Sequence, residues 1–278
     1  MASTGDRIAQ PIRRTVRRAA AFDPVRKALF RYYHWRSTRR SLVHPFDARY
    51  GVDTGGELHG TVLGLGGGTD PGANNGYLGS QPSIIRAALQ VIPDPQDAAF
   101  VDIGCGKGRA LIVASEFGFR SVVGIEISPE LAQIAERNAA TVARNHPERV
   151  NIAVVTGDAL DIRHLPAGRL VIYLYNSFGR ALIERLRENI EEIVGRQGSA
   201  VHLVYYNPVW GEVFDESPLL RRVYAENLPY DPTETGYGPD TMDAVIVWQD
   251  AEHAPTDVPA TAPRPIVVMQ NGWHAELG

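Results

Sequence analysis

With 278 residues and 44 % hydrophobic content, the chain is long enough for one large domain with a substantial core. Its longest apolar runs, "RLVIYLY" and "SAVHLVYY", fall well short of the roughly 20 residues that a bilayer span requires. The single cysteine, Cys105, excludes an internal disulfide and a thiolate metal cluster. The net charge of −4 hides an asymmetry: residues 1–40 carry eleven Arg/Lys against Asp6 and Asp23, about +9, so the other 238 residues carry about −13.

The first 44 residues read as a basic helical arm. Ile12, Val16, Ala19 and Ala20 recur at near-helical spacing, and Val25, Leu29, Tyr32 and Tyr33 follow after a break expected at Pro24. Such an arm packs on the acidic body or a second subunit, attracts an anionic partner or membrane, or lies over a site as a lid. An Arg-rich, acid-poor start is also a feature of transit peptides, which the internal prolines and aromatics argue against. Residues 45–80 are glycine-dense and read mostly as loop, and a loop this long inside a compact protein is usually functional or disordered. From Pro82, "SIIRAALQVI" is apolar at helical spacing.

Beyond Ala98, strand-like runs alternate with helical stretches. Strands are expected near 99–103, 121–126, 150–155, 170–175, 200–206 and 243–248, with another near 221–224; helices are expected near 108–117, 129–145 and 179–195. Ser128 as N-cap, Pro129 at the first helical position and Glu130 in the first turn start the second of these helices. Apolar strands alternating with helices imply a doubly wound, mostly parallel α/β sheet over 81–250. Residues 251–278 read as a Pro/Ala linker and a short tail.

"FVDIGCGKGR" places Gly104, Gly106 and Gly108 at the turn from the first strand into a helix, where backbone can approach a ligand closely and free N–H groups face it. Glu126 ends the next strand, where a carboxylate can accept hydrogen bonds from both hydroxyls of a ribose. A dinucleotide fingerprint needs glycine at 109, which is Arg109, and a phosphate-binding P-loop needs Ser or Thr at 108. A nicotinamide oxidoreductase therefore fails on spacing.

Asp102, one residue, then glycines at alternate positions resembles the first motif of the class I S-adenosylmethionine-dependent methyltransferases, whose fold is a seven-stranded Rossmann-like sheet. Glu126 in "GIEIS" matches the family's ribose-binding acid, and Asp158 in "TGDAL", with Ala159, matches the acid that contacts adenine. The resemblance covers about 98–250 and implies S-adenosylmethionine as cofactor. It assigns Asp102, Gly104, Gly106, Lys107, Gly108, Glu126, Asp158, Ala159 and Asn176 to cofactor binding. Lys107 is read either as attracting the methionine carboxylate or as an exposed loop lysine, and Cys105 as a small packed side chain.

"YNSFG" resembles the acceptor-orienting element of amino-directed members, with Ser177 standing where proline is usual; that departure leaves the methylated atom open. "NNGYLGSQP" resembles the region ahead of the first motif in a subgroup related to lysine methyltransferases, which makes Tyr77 a candidate to cover the cofactor. Asn176, Tyr77 and Tyr206 are the candidate catalytic residues, with Asn207 and Trp210 near the same rim. His44, His59 and His202 are weak candidates for a base.

The Gly-rich loop and extra helices look like a cap, which favours a small-molecule acceptor. A protein lysine and a non-catalytic binding module are the alternatives. The reading further expects a cytoplasmic protein that does not act on nucleic acid or span a membrane, with a homodimer contact through the arm as one use of that segment.

Overall fold

In the computed structural model, the structure describes residues 23–40, 42–58, 63, 76–175, 177–197, 199–237, 240–254, 266–270 and 273–277. Seven strands form the central sheet: β3 (Ala99–Ile103), β4 (Ser121–Glu126), β5 (Ile152–Thr156), β6 (Leu170–Tyr175), β7 (Val201–Tyr206), β8 (Leu220–Pro229) and β9 (Met242–Asp250). Their order is β5-β4-β3-β6-β7-β9-β8. The first five run parallel, and β9 is inserted antiparallel between β7 and β8.

The strands are apolar on both sides because both sides are covered. Phe100, Val122, Tyr173, Val204, Val245 and Val247 face one layer, packed against α3 (Pro82–Gln90), α4 (Arg109–Ala114) and α5 (Pro129–Asn145). Val101, Ile103, Ile172, Leu203, Ile246 and Trp248 face the other, against α6 (Arg180–Gln197) and α7 (Glu212–Asp215). The Ser128 hydroxyl caps α5 by accepting from Leu131 N–H. Within β4, a Cβ at Gly124 would lie 2.5 Å from Leu111 and 2.7 Å from the Cys105 sulfur, so the turn after β3 packs only against glycine there.

The helix expected after Pro24 is α1 (Asp23–Arg40), with the proline in its first turn, where a missing N–H costs no bond. Residues 1–22 lie outside the described residues. The segment 45–80, read mostly as loop, also contains short elements. His44 caps α2 (Pro45–Tyr50) by accepting from Phe46 N–H, and Gly51 ends it at φ +65°. β1 (Glu57–Leu58) and β2 (Tyr77–Leu78) then pair antiparallel. The strand expected at 221–224 is the ten-residue β8, extended by pairing along β9.

The tail forms the hairpin β10 (Ile266–Gln270) and β11 (Trp273–Leu277), with Ile266 and Val268 buried in the second layer's core. Among the described residues, no helix is long and apolar enough to cross a membrane.

Candidate functional site

In an open parallel sheet, ligands sit at the carboxyl ends of strands where the chain reverses its direction of travel across the sheet. Here that point lies between β3 and β6, because β4 and β5 extend to one side of β3 and β6 to the other. The turn after β3 is held to β4 by Gly104 N–H and Cys105 N–H, both donating to the Ile125 carbonyl at 2.9 and 3.1 Å. Gly104, Gly106 and Gly108 all have positive φ (+79°, +55° and +84°), a backbone shape that side chains resist.

Glu126 closes this turn from the end of β4. One carboxylate oxygen accepts from Gly106 N–H and the other from Ser128 N–H, each at 2.8 Å. Burial pushes its pKa up, against the pull of those backbone donors. Asp102 is buried beside it, and burial, then the Glu126 charge, raise its pKa well above the usual carboxylate range. Among the described residues no hydrogen bond to the Asp102 carboxylate is seen, although Glu126 has two.

Two chambers open on the glycine turn. One is lined by Asp102, Gly104, Ser80, Tyr173, Tyr175 and Ser177, the other by Gly106, Glu126, Ile127, Leu131 and Phe178. Gly76, Tyr77, Gly104 and Ser177 line both, so Tyr77 lies across the groove between them. Its ring rests on Gly106, where a Cβ would come within 2.3 Å of it, and its hydroxyl donates to the Thr54 carbonyl at 2.7 Å.

The residues expected at the site divide accordingly. Asp102, Gly104, Gly106, Glu126 and Tyr77 come together. Asp158 and Ala159 follow the outermost parallel strand and line neither chamber; Asp158 is exposed and accepts from Leu160 N–H. Asn176 and His59 lie outside the described residues.

Lys107 is not an exposed loop lysine. It is fully buried, and its ammonium donates to Asp53 at 2.9 Å and to the Gly55 carbonyl at 2.7 Å. Burial pulls the Asp53 carboxyl up, but the His34 hydrogen bond and Lys107 outweigh it and bring its pKa down to about 2.

Tyr206 does not stand at the rim. It is 1 % exposed, stacks on Tyr175 with ring centroids 4.4 Å apart, and donates to Asp243 at 2.6 Å. Asp243 also accepts from the Tyr230 hydroxyl. Asn207 is buried and Trp210 half-buried, with the Arg180 guanidinium over its ring.

His44 is bonded at both ring nitrogens, accepting from Phe46 N–H and facing the Gln81 side-chain oxygen at 3.1 Å, with its pKa lowered chiefly by burial. His202 is buried in β7, and desolvation lowers its pKa to about 4.

Sequence reasoning missed Arg109, which it used only to exclude a fingerprint. Its buried guanidinium donates to Thr54 Oγ1 at 2.7 Å, the Thr54 carbonyl at 2.8 Å and the Ser80 carbonyl at 3.1 Å, and lies 3.9 Å from Asp47. The segments at 47–55 and 77–81 are thereby tied to the first turn of α4. Asn138 of α5 adds a second tie, donating to the Asp53 and Lys107 carbonyls. A signal was present: one arginine opening the otherwise apolar "RALIVA". Arg109→Met is expected to cost about 3–5 kcal/mol, because it strands buried acceptors and the Asp47 carboxylate; urea denaturation measures it.

Residues 100–197 match the family model described as a methyltransferase domain. The chain is 26 % identical over 121 residues to a protein-lysine N-methyltransferase of Saccharolobus islandicus, covering 41 % of this chain and 70 % of that protein. Among solved structures it is similar to an RNA methyltransferase from Salinibacter ruber in complex with S-adenosylhomocysteine, at 20 % identity and a TM-score of 0.37 over 65 % of this chain and 99 % of that one. It is also similar to TrmN from Thermus thermophilus, at 14 % identity and a TM-score of 0.44 over 61 % and 48 %. Scores this low carry no weight beside the sequence match, the strand order and the glycine turn. Taken with the acid that ends β4, those three observations support a class I S-adenosylmethionine-dependent methyltransferase, with residues 100–197 as the matched methyltransferase domain.

Proposed function

We propose that S-adenosylmethionine lies across the carboxyl ends of β3 and β4 and that its methyl group is transferred to a small-molecule acceptor held near Tyr175. The observation that carries this is the pair of buried acids on adjacent strand ends, Asp102 and Glu126, flanking a turn whose glycines leave room for a ligand. The residues fit the cofactor. A Cβ at Gly104 would meet Ser177 Oγ at 2.9 Å, and the buried Asp102 carboxylate suits an ammonium group. When bound, the cofactor supplies a sulfonium methyl that is open to in-line displacement.

In this reading Glu126 accepts from the ribose hydroxyls, Asp102 from the methionine ammonium, and the Gly104–Gly106 backbone forms the floor. Asp158, Ala159 and Asn176 keep the roles that the family resemblance implies. Tyr77 closes the groove over Gly106, and the segments tied by Arg109 exclude water from the Asp102 chamber. His44 does not serve as base, since both its nitrogens are engaged. An acceptor that arrives neutral needs only positioning and desolvation. Tyr77→Phe, which removes one hydrogen bond of about 1 kcal/mol, is expected to weaken S-adenosylhomocysteine binding by severalfold and Tyr77→Ala by more; calorimetry compares them.

A proton balance checks Asp102. Binding a cation beside a carboxyl whose pKa is raised lowers that pKa, so protons leave on binding at mildly acid pH. Titrations in two buffers of different ionisation enthalpy are expected to differ for wild type and to differ less for Asp102→Asn, where only Glu126 still gives up protons.

A second reading, transfer to a protein lysine, is favoured by the similarity to the Saccharolobus islandicus protein. The deciding experiment incubates the protein with S-adenosylmethionine labelled in the methyl group and with metabolite and protein fractions of a cell extract. Label in small molecules supports the first reading and label in precipitated protein the second. Failure to bind S-adenosylhomocysteine would overturn both.

A further inference from the structure

Helix α1 has two faces of different chemistry. Arg26, Phe30 and His34, spaced four residues apart, turn inward. Phe30 is buried with Leu58, Leu63, Tyr77, Leu131 and Ile134, Arg26 bonds Glu130 at 2.5 Å, and His34 bonds Asp53 at 3.0 Å. The helix is therefore fixed beside the chamber that holds Glu126. On the opposite face, Tyr32 and Trp35 are each 51 % exposed, with Tyr33 38 % exposed on the flank. Tyr32 touches both rings, at centroid distances of 5.3 and 6.4 Å. Arg31 and Arg36 are exposed among them.

The apolar character continues past the helix. Leu42 and Val43 are 73 % and 69 % exposed, the highest values among the exposed large hydrophobic residues described. Leu78 and Ile127, which line the two chambers, are also exposed. Exposed apolar residues thus occur on the outward face of α1, just beyond it and at the mouth of the site, and residues 1–40, which include α1, carry about +9 against about −13 on the rest of the chain.

We infer that the outward face of α1, together with Leu42 and Val43 beyond it, docks on an anionic lipid bilayer. Tyrosine and tryptophan favour the headgroup region, exposed leucine and valine enter the acyl boundary, and arginines meet anionic headgroups. A single-stranded nucleic acid would use the arginines and the rings but gains nothing from Leu42 and Val43. The inference does not depend on how the cofactor is held.

The test is flotation of the full-length chain with vesicles of phosphatidylcholine alone and with about 30 mol % phosphatidylglycerol. Binding to the anionic vesicles only is expected. Replacing Tyr32, Trp35, Leu42 and Val43 together by serine is expected to weaken it by about tenfold or more. All four side chains are exposed, so S-adenosylhomocysteine binding and the thermal midpoint serve as controls for folding and should not move. Vesicles with brominated acyl chains should quench tryptophan fluorescence in wild type and much less in Trp35→Phe. Absence of binding to anionic vesicles, binding that the serine variant retains in full, or displacement from vesicles by equimolar polyuridylate would each overturn the inference.

Discussion

Glu126→Ala is expected to lower S-adenosylhomocysteine affinity by about a hundredfold or more, the loss of two hydrogen bonds to a charged acceptor at about 1.5–3 kcal/mol each. The free protein suffers as well, because Gly106 N–H and Ser128 N–H lose the carboxylate that satisfies them. Glu126→Gln does not rescue both, since an amide offers one acceptor oxygen and turns its NH2 toward the other backbone donor. Calorimetry at neutral pH, with thermal midpoints to separate binding from folding, measures the effect; affinities within threefold of wild type would remove Glu126 from the proposed site.

Because burial raises the Glu126 pKa above its ordinary value of 4.5, the signs of its pH effects can be worked out. Cofactor binding needs the carboxylate, so affinity should fall as pH drops through the raised value. For the free protein, burial favours the protonated form. That contribution to stability is fully present below the unfolded pKa and is lost as pH rises through the folded one.

Gly106→Ala is expected to destabilise the fold by about 2–4 kcal/mol and to abolish cofactor binding. About 1 kcal/mol comes from placing a Cβ at φ +55° and the rest from overpacking. The new methyl would lie 2.3 and 2.4 Å from two carbons of the Tyr77 ring, which must leave its seat and give up the Thr54 carbonyl. Gly118→Ala provides the contrast: φ is +70°, but nothing lies within 4 Å, so only the backbone strain is expected. In the double variant with Tyr77→Ala, the overpacking part should vanish, a coupling of at least about 1 kcal/mol in denaturant melts. Additive effects would mean that Tyr77 does not rest on the glycine turn.

The parallel sheet was legible because buried strands must be apolar throughout and their helices periodic. β3, β4, β6 and α5 therefore fall where the pattern places them. β8 was read as four residues instead of ten because its side chains are half-buried and it draws its length from pairing with β9. α2 was missed although Pro45 and Gly51 bracket it, since a six-residue helix has too few turns to show a period.

Sequence by itself determined the glycine turn, the acids at 102 and 126, and with them the class of chemistry, because close backbone approach and a carboxylate at a strand end depend on residue type and spacing. Tertiary structure alone decided the partners. Lys107 turns inward to Asp53, Tyr206 sits behind Tyr175, and Arg109 ties two distant segments to α4. Each of these contacts joins residues at least 29 positions apart. Local periodicity carries no record of such pairs; they follow from which side chains the closed sheet brings within hydrogen-bonding distance.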